Sequence, residues 1–232
     1  MPRPLIPNRV GAILDAAEDL VLCDGFDSVS VERIARRAGI GKGAIYREFE
    51  GKHELMDALL TRCTSRLVDQ VRQRVVAALT PVGLSAVYRF GLEALLDDAL
   101  MTAALLDDEA VLGSHAHAVG GDRYRQRFAW ITDYVEALHE AGSLATDARP
   151  EAVSLALSSF TIGLLSANSM LGPLTRDQLA AAVDVVITFI ERGLERPPES
   201  AAATGDPAAT DAHLLLLGRL AEQLGTDQEE QP

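Results

Sequence analysis

Cysteines, aromatic side chains and long apolar runs are all scarce in this chain, and each scarcity removes a class of function. Two cysteines occur, Cys23 and Cys63. Neither has a second Cys or a His at zinc-finger spacing, so both are expected to be small buried hydrophobes. No apolar run reaches the ~18 residues of a membrane-spanning helix, and the opening MPRPLIPNRV has no apolar core of signal-peptide length. The expectation is a cytoplasmic protein without membrane contact. No P-loop, G-x-S-x-G or H-E-x-x-H pattern is present, so neither an enzyme nor a cofactor is expected. His115-x-His117 lies beside glycines without a third ligand, so no metal site is expected. No stretch alternates apolar and polar residues as a half-buried strand would. Excess positive charge is also missing, because the net charge is −13.

What the chain does have is a real apolar content, 48% of 232 residues, and one segment of unusual order, SVERIARRAGIGKGAIYREFEGKHEL from Ser30 to Leu55. Val31, Ile34, Ala35 and Ala38 fall at i, i+3, i+4 and i+7, one apolar helix face, with Ser30 before it as an N-cap. Gly39-Ile40-Gly41 breaks that helix with residues suited to a tight turn. A second helix is expected from Lys42 to Phe49, with Ile45 and Phe49 inward and Lys42, Gly43, Tyr46 and Arg47 on or near its outer face. This is a helix-turn-helix, whose second helix enters the DNA major groove. Residues 1–52 carry eight basic and eight acidic side chains, whereas the remainder carries 13 and 26. The acidity therefore lies outside the reader, and phosphate contact needs only a local basic patch.

Ser30, Ile34-Ala35, Ala38-Gly39-Ile40, Gly43, Ile45-Tyr46, Phe49, Lys52 and Leu55 together resemble the pattern of the TetR family of bacterial transcriptional regulators, over roughly residues 8–56. The resemblance implies an all-α homodimer that binds a pseudo-palindromic double-stranded DNA operator and is released by a small-molecule effector. It places Ser30, Arg33, Lys42, Gly43, Ala44, Tyr46, Arg47 and Lys52 at the DNA. Tyr46 and Lys52 would contact phosphates, Gly43 would allow close approach, and Lys42, Ala44 and Arg47 would face base edges, with Arg47 suited to guanine. Gly41, Ala44 and Glu48 depart from the residues commonest there. Two hydroxyl contacts are thereby absent, and Glu48 would repel phosphate unless it accepts from cytosine.

The expected organisation is a DNA-binding domain over 1–53, a helical regulatory and dimerisation domain over 54–195, and a linker, short helix and acidic tail over 196–232. Arg9 to Asp24 reads as a helix with Val10, Ile13, Leu14, Ala17 and Val21 inward. A long helix over 54–79 follows the reader, then helices at about 84–97, 98–112, 122–141, 150–170 and 175–194, with a loop over 113–121. The last pair, lined by Val153, Leu157, Phe160 and Leu164 and by Leu179, Val183, Val186 and Ile190, is expected to meet its copy in a second subunit. Residues 196–212 read as a flexible linker and 213–225 as a helix with Leu214, Leu217, Leu220 and Leu224 on one side. The resemblance also implies an effector cavity among the helices of 54–170, for which Tyr88, Phe90, Met101, Phe128, Trp130, Tyr134, Phe160 and Asn168 are candidate lining residues. The rival within DNA binding is a regulator without an effector, controlled by abundance or a protein partner. A helical interaction module that has lost DNA binding is the rival outside it.

Overall fold

A computed structural model describes residues 8–78, 82–118, 120–145, 147–196 and 211–219, with backbone alone for 117–127. Most of the expected linker and all of the acidic tail lie outside the described residues, as does the second half of the 213–225 helix. The described residues are helical without strands, apart from one isolated antiparallel bridge, Leu144 to Glu195. The chain divides into two compact units, Met1–Cys63 with Ala99–Gly120, and Thr64–Asp98 with Gly121–Pro232.

In the first unit, helix α1 spans Arg9–Asp24, a short 3-10 turn spans Phe26–Ser28, and α2 and α3 span Val31–Arg37 and Lys42–Ile45. Asn8 caps α1 by accepting from the Gly11 amide at 3.1 Å. Ile13, Leu14, Ala17 and Val21 are buried as expected, but Val10 in the first turn is 39% exposed. Cys63 is buried, whereas Cys23 is exposed and makes no core. Ser30 caps α2 through the Arg33 amide at 3.3 Å. The turn to α3 needs Gly39 at φ 70°, a backbone conformation costly for side chains with a Cβ. Ala38 N–H and Ile40 N–H then satisfy the carbonyls of Ile34 and Ala35 at 2.9 Å each.

The unit also takes in α6 (Ala99–Leu105) and α7 (Glu109–Leu112), where one helix over 98–112 was expected, and the short α8 (His115–Ala118), which lies inside the stretch 113–121 expected to be a loop. The break has a local cause. Asp107 adopts φ 50°, and Asp108 caps α7 through the Ala110 amide at 2.9 Å. Helices α6 and α7 pack on α1. Gly25, at φ 75°, lies so close to α7 that a Cβ would come within 2.6 Å of the Ala110 carbonyl oxygen. This packing explains why residues distant in sequence join the reader.

Helix α4 spans Lys52–Ala77 and passes from the first unit into the second at residues 63 and 64. Leu55, Leu59, Cys63, Val71 and Val75 are buried as expected, while Leu67 is half-buried and Val68 beside it is buried in the same cluster. A strict spacing of four drifts against 3.6 residues per turn, so the apolar face widens to take in a neighbouring position such as Val68.

The second unit adds α5 (Leu84–Leu96), α9 (Gly120–Glu140), α10 (Pro150–Leu165), α11 (Ala167–Leu171) and α12 (Arg176–Gly193). Residues 211–219 form a final helix, α13. Thr175 and Gln178 form a reciprocal capping box that starts α12. Helices α5, α9, α10 and α12 share a core around Leu84, Val135, Leu138, Leu157 and Ile190. Each such aliphatic side chain contributes about 1.5–3 kcal/mol by leaving water.

Candidate nucleic-acid interface

Three side chains of the α3 turn, with a glycine between them, face out of the first unit. Lys42, Gly43, Tyr46 and Arg47 are exposed, while Ala44, Ile45 and Phe49 are buried. The pairs 42/46 and 43/47 are four residues apart, so they form one outward stripe. Ala44 is a correction. It was expected at a base edge, but at 8% exposure it fills the core behind the stripe. The expected helix to Phe49 is also shorter: α3 proper ends at Ile45, and Tyr46 to Glu48 form a tighter turn. The Phe49 amide still reaches the Ile45 carbonyl at 2.9 Å, so Phe49 stays inward. A Cβ on Gly43 would meet nothing within 4 Å, which leaves the stripe flat and open at its centre.

Most cations of the reader are already engaged. Lys42 donates to Glu32, and this hydrogen bond is the main cause that raises Lys42 above the ordinary lysine range. Its ammonium also lies 5.5 Å from the centre of the Tyr46 ring. Arg33, expected at the DNA, pairs with Asp24 and donates to the Ser28 carbonyl at 3.1 Å. Arg37 pairs with Asp19 at 2.6 Å. Arg36 and Arg47 have no ion pair among the described residues and are exposed. The departure at Glu48 acquires a physical account here, because its carboxylate pairs with Arg9. The charge that would repel a phosphate is thus balanced within the unit.

Lys52 differs most from its expected role. Its ammonium donates to the carbonyls of Phe26 and Val29 at 2.9 and 3.1 Å and lies 4.1 Å from the Phe26 ring centre. Two of its three donors therefore close the 3-10 turn onto the start of α4. Phe26, 1% exposed, is also flanked by His53 and His115 at ring-centre distances of 5.0 and 5.3 Å. The two imidazoles stack with their Nδ1 atoms 3.2 Å apart, a distance that leaves room for one proton between them. His115 is buried, and its Nε2 lies 3.4 Å from an Asp57 carboxylate oxygen without a hydrogen bond to it. Beside them, the Asp27 carboxylate accepts from the Ser114 hydroxyl at 2.6 Å and amide at 3.0 Å, bonds that hold it below the ordinary aspartate range. No sequence signal marks this cluster, because its two histidines are 62 positions apart. Arg62 of α4 completes the clamp, reaching Asp15 and Glu18 of α1 at 2.6 and 2.7 Å.

The expected effector residues divide. Trp130 and Tyr134 line an open groove of about 200 Å³ together with Ala137, Leu215, Leu216 and Arg219. Tyr88 and Phe90 pack against the apolar clusters of the second unit. The Tyr88 hydroxyl, bonded to the Leu157 carbonyl at 3.0 Å and Thr161 at 2.8 Å, is raised above the ordinary tyrosine range by burial. Phe128 is half-buried, and its carbonyl accepts from Thr132 at 3.0 Å. Three are corrections. Met101 is buried in the first unit, on α6. Phe160 faces outward at 41% exposure. Asn168 is exposed, and its side chain caps a turn through the Leu174 amide at 3.0 Å.

Comparison with known proteins fits the reader. Residues 13–59 match the family model of bacterial regulatory proteins of the tetR family. Over 66 residues the chain is 44% identical to the uncharacterized HTH-type transcriptional regulator YdeS of Bacillus subtilis, covering 28% of this chain and 33% of that one. It is 38% identical over 66 residues to the HTH-type transcriptional activator FasR of Mycolicibacterium smegmatis, covering 28% and 30%. The chain thus spans about a third of the length of these relatives. The fold matches FadR from Bacillus subtilis, solved in complex with stearoyl-CoA, with a TM-score of 0.59 at 14% identity over 78% of this chain and 96% of that one.

Proposed function

We propose that this chain, whose N-terminal segment belongs to the tetR family of bacterial regulatory proteins, is a transcriptional regulator rather than an enzyme. In this reading it binds a pseudo-palindromic operator as a homodimer, blocks transcription, and is released by a small-molecule effector held by the second unit. The observation that carries it is the flat outward stripe of Lys42, Gly43, Tyr46 and Arg47 on a capped helix-turn-helix. Arg47 is the base reader, since a free guanidinium can grip guanine in bidentate fashion. Tyr46 contacts phosphate, and Lys42, expected at a base edge, is assigned to phosphate as well, because its ammonium already pairs with the Glu32 carboxylate and can exchange that anion for another. Lys52 acts indirectly, holding Phe26 and the turn in place, with one donor left for phosphate.

Dimerisation is supported by the outer face of α10 and α12. Leu155, Phe160, Val185 and Phe189 are exposed there, beside the small residues Ser159 and Gly163. Apolar side chains grouped this way mark an interaction surface. A second copy answers a geometric need as well, because two readers must reach major grooves about 34 Å or a multiple apart. Helix α4 starts at the reader and continues into the second unit, which gives an effector a mechanical route to the stripe. A coupling of about 1–3 kcal/mol between the two sites suffices for release. The work of such a protein is done on the bacterial chromosome, in the cytoplasm.

The test is selection of bound duplexes from a random DNA pool at stated salt. An enriched inverted repeat is the expected outcome. Absence of any enriched sequence at low salt would sink the proposal.

A further inference from the structure

Helix α13 sits where an effector was expected. Among the candidate lining residues, Tyr88 and Tyr134 belong to the apolar cluster that includes Ala212 and Leu216, and Phe90 belongs to the cluster that includes Leu214 and Leu217. Leu217 is 4% exposed, packed with Val71 and Val75 of α4 and Val87 of α5. The helix therefore contributes apolar side chains to both clusters. One buried polar relay fixes it. His213, fully buried, accepts from the Tyr134 hydroxyl at 2.7 Å on Nδ1 and donates from Nε2 to the Val82 carbonyl at 2.9 Å. Both ring nitrogens are satisfied in the neutral form. The Arg219–Asp133 pair at 2.9 Å is exposed and adds little.

We propose that α13 is a tethered internal occupant of the effector site, so that an apolar effector binds by displacing it from between α4, α5 and α9. This rests on the reading of the second unit as the effector-binding part. Short helices draw most of their stability from packing rather than from propensity, so the docking of α13 onto the two clusters is what holds it in place. The groove beside Trp130 is the open edge of this docking, where an entering ligand first meets the helix. Because α13 covers Val68, Val71 and Val75 of α4 only while docked, displacement changes the packing of the helix that begins at the reader. An occupant in place 99% of the time would weaken the apparent affinity of a competing ligand about 100-fold.

The full-length chain provides its own probe, since Trp130 is its single tryptophan. The double variant His213→Ala, Leu217→Ala is compared with wild type by titration with Nile red, an uncharged apolar dye suited to a groove whose rim carries Glu136 and Glu140. The dye constant is expected to tighten by roughly 10- to 100-fold. Without dye, Trp130 emission should move to longer wavelength and become more open to acrylamide, with helical circular dichroism otherwise kept. Tyr134→Phe, which removes the hydroxyl donor and keeps the ring, should give an intermediate tightening and decides the matter if the double variant does not fold. Folded variants that bind Nile red like wild type, with Trp130 equally shielded, would overturn the proposal. Operator binding by the same preparations separates the two readings. Tightened dye binding without any operator leaves the occupant and removes the regulator. Operator binding with unchanged dye binding does the reverse.

Discussion

The stripe on α3 and the outer face of α10 and α12 are both open to water, yet their chemistry is opposite. On the stripe, Lys42 is held by Glu32 and stacked near Tyr46, and the surrounding arginines are largely paired with carboxylates of α1 and its flanks. On the other face, Phe189 is 59% exposed and Phe160 41%. A surface meant for phosphate can remain hydrated, because its ion pairs exchange one anion for another at little cost. The apolar face, which the proposed dimer would bury, gains only when water leaves, and until then it is an exposed apolar patch.

The sharpest way to break this comparison is to charge the apolar face. Phe189→Arg should convert dimer to monomer in sedimentation. Since each buried Phe is worth about 1.5–3 kcal/mol and symmetry counts it twice, operator affinity should fall by more than about 100-fold. A variant that stays dimeric and binds normally would show that the interface lies elsewhere. Arg47→Ala should cost roughly 1–3 kcal/mol and relax preference at one operator position. If the selected sequence is unchanged, Arg47 is not the base reader. Lys52→Met should lower unfolding stability by about 1–2 kcal/mol through the lost carbonyl bonds and ring contact. It should change the slope of affinity against salt by less than one phosphate's worth. A salt slope flattened by a full unit with stability intact would restore Lys52 to the phosphate contacts.

Acidification separates the units in another way. Burial, as the larger effect, holds His213 below its ordinary value of 6.5. The neutral form is therefore the docked form. Its contribution is complete above about pH 6.5 and is lost as pH falls through the lowered native value, at no more than about 1.4 kcal/mol per pH unit for one proton. Trp130 emission should follow that loss, and His213→Gln should abolish its pH dependence. The smallest effect is expected at Glu48→Gln. Freeing Arg9 from an ion pair at the edge of the stripe should shift stability by less than about 1 kcal/mol, with a slight gain in nonspecific DNA affinity at low salt.

Local patterns carried much of this far. Ser30 caps α2, Gly39 takes the positive φ, and Ile45 and Phe49 turn inward, all from short-range spacing. Ala44 was misplaced because a residue-by-residue likeness assigns a role without weighing a small apolar side chain against a core that needs it. The effector residues were harder. Residue type says nothing about direction or partner, so the aromatic Phe160 lies at the surface and the thioether Met101 is buried in the other unit. The break inside the 98–112 helix is not legible in the sequence because Asp107 at φ 50° interrupts it without a glycine to announce the turn.

By itself, then, the order of residues determined the all-helical class, the helix-turn-helix and its outward stripe, since caps, turns and i, i+4 faces are properties of neighbours within a few residues. Only the tertiary structure decided what each exposed or buried charge does. It brought His115 to His53, Ser114 to Asp27 and Glu48 to Arg9, and it seated His213 of α13 against Tyr134. Those pairings join positions tens of residues apart. They arise because burying the apolar faces of α1, α4 and α9 fixes which polar groups are left near one another, and each of these must then find a partner.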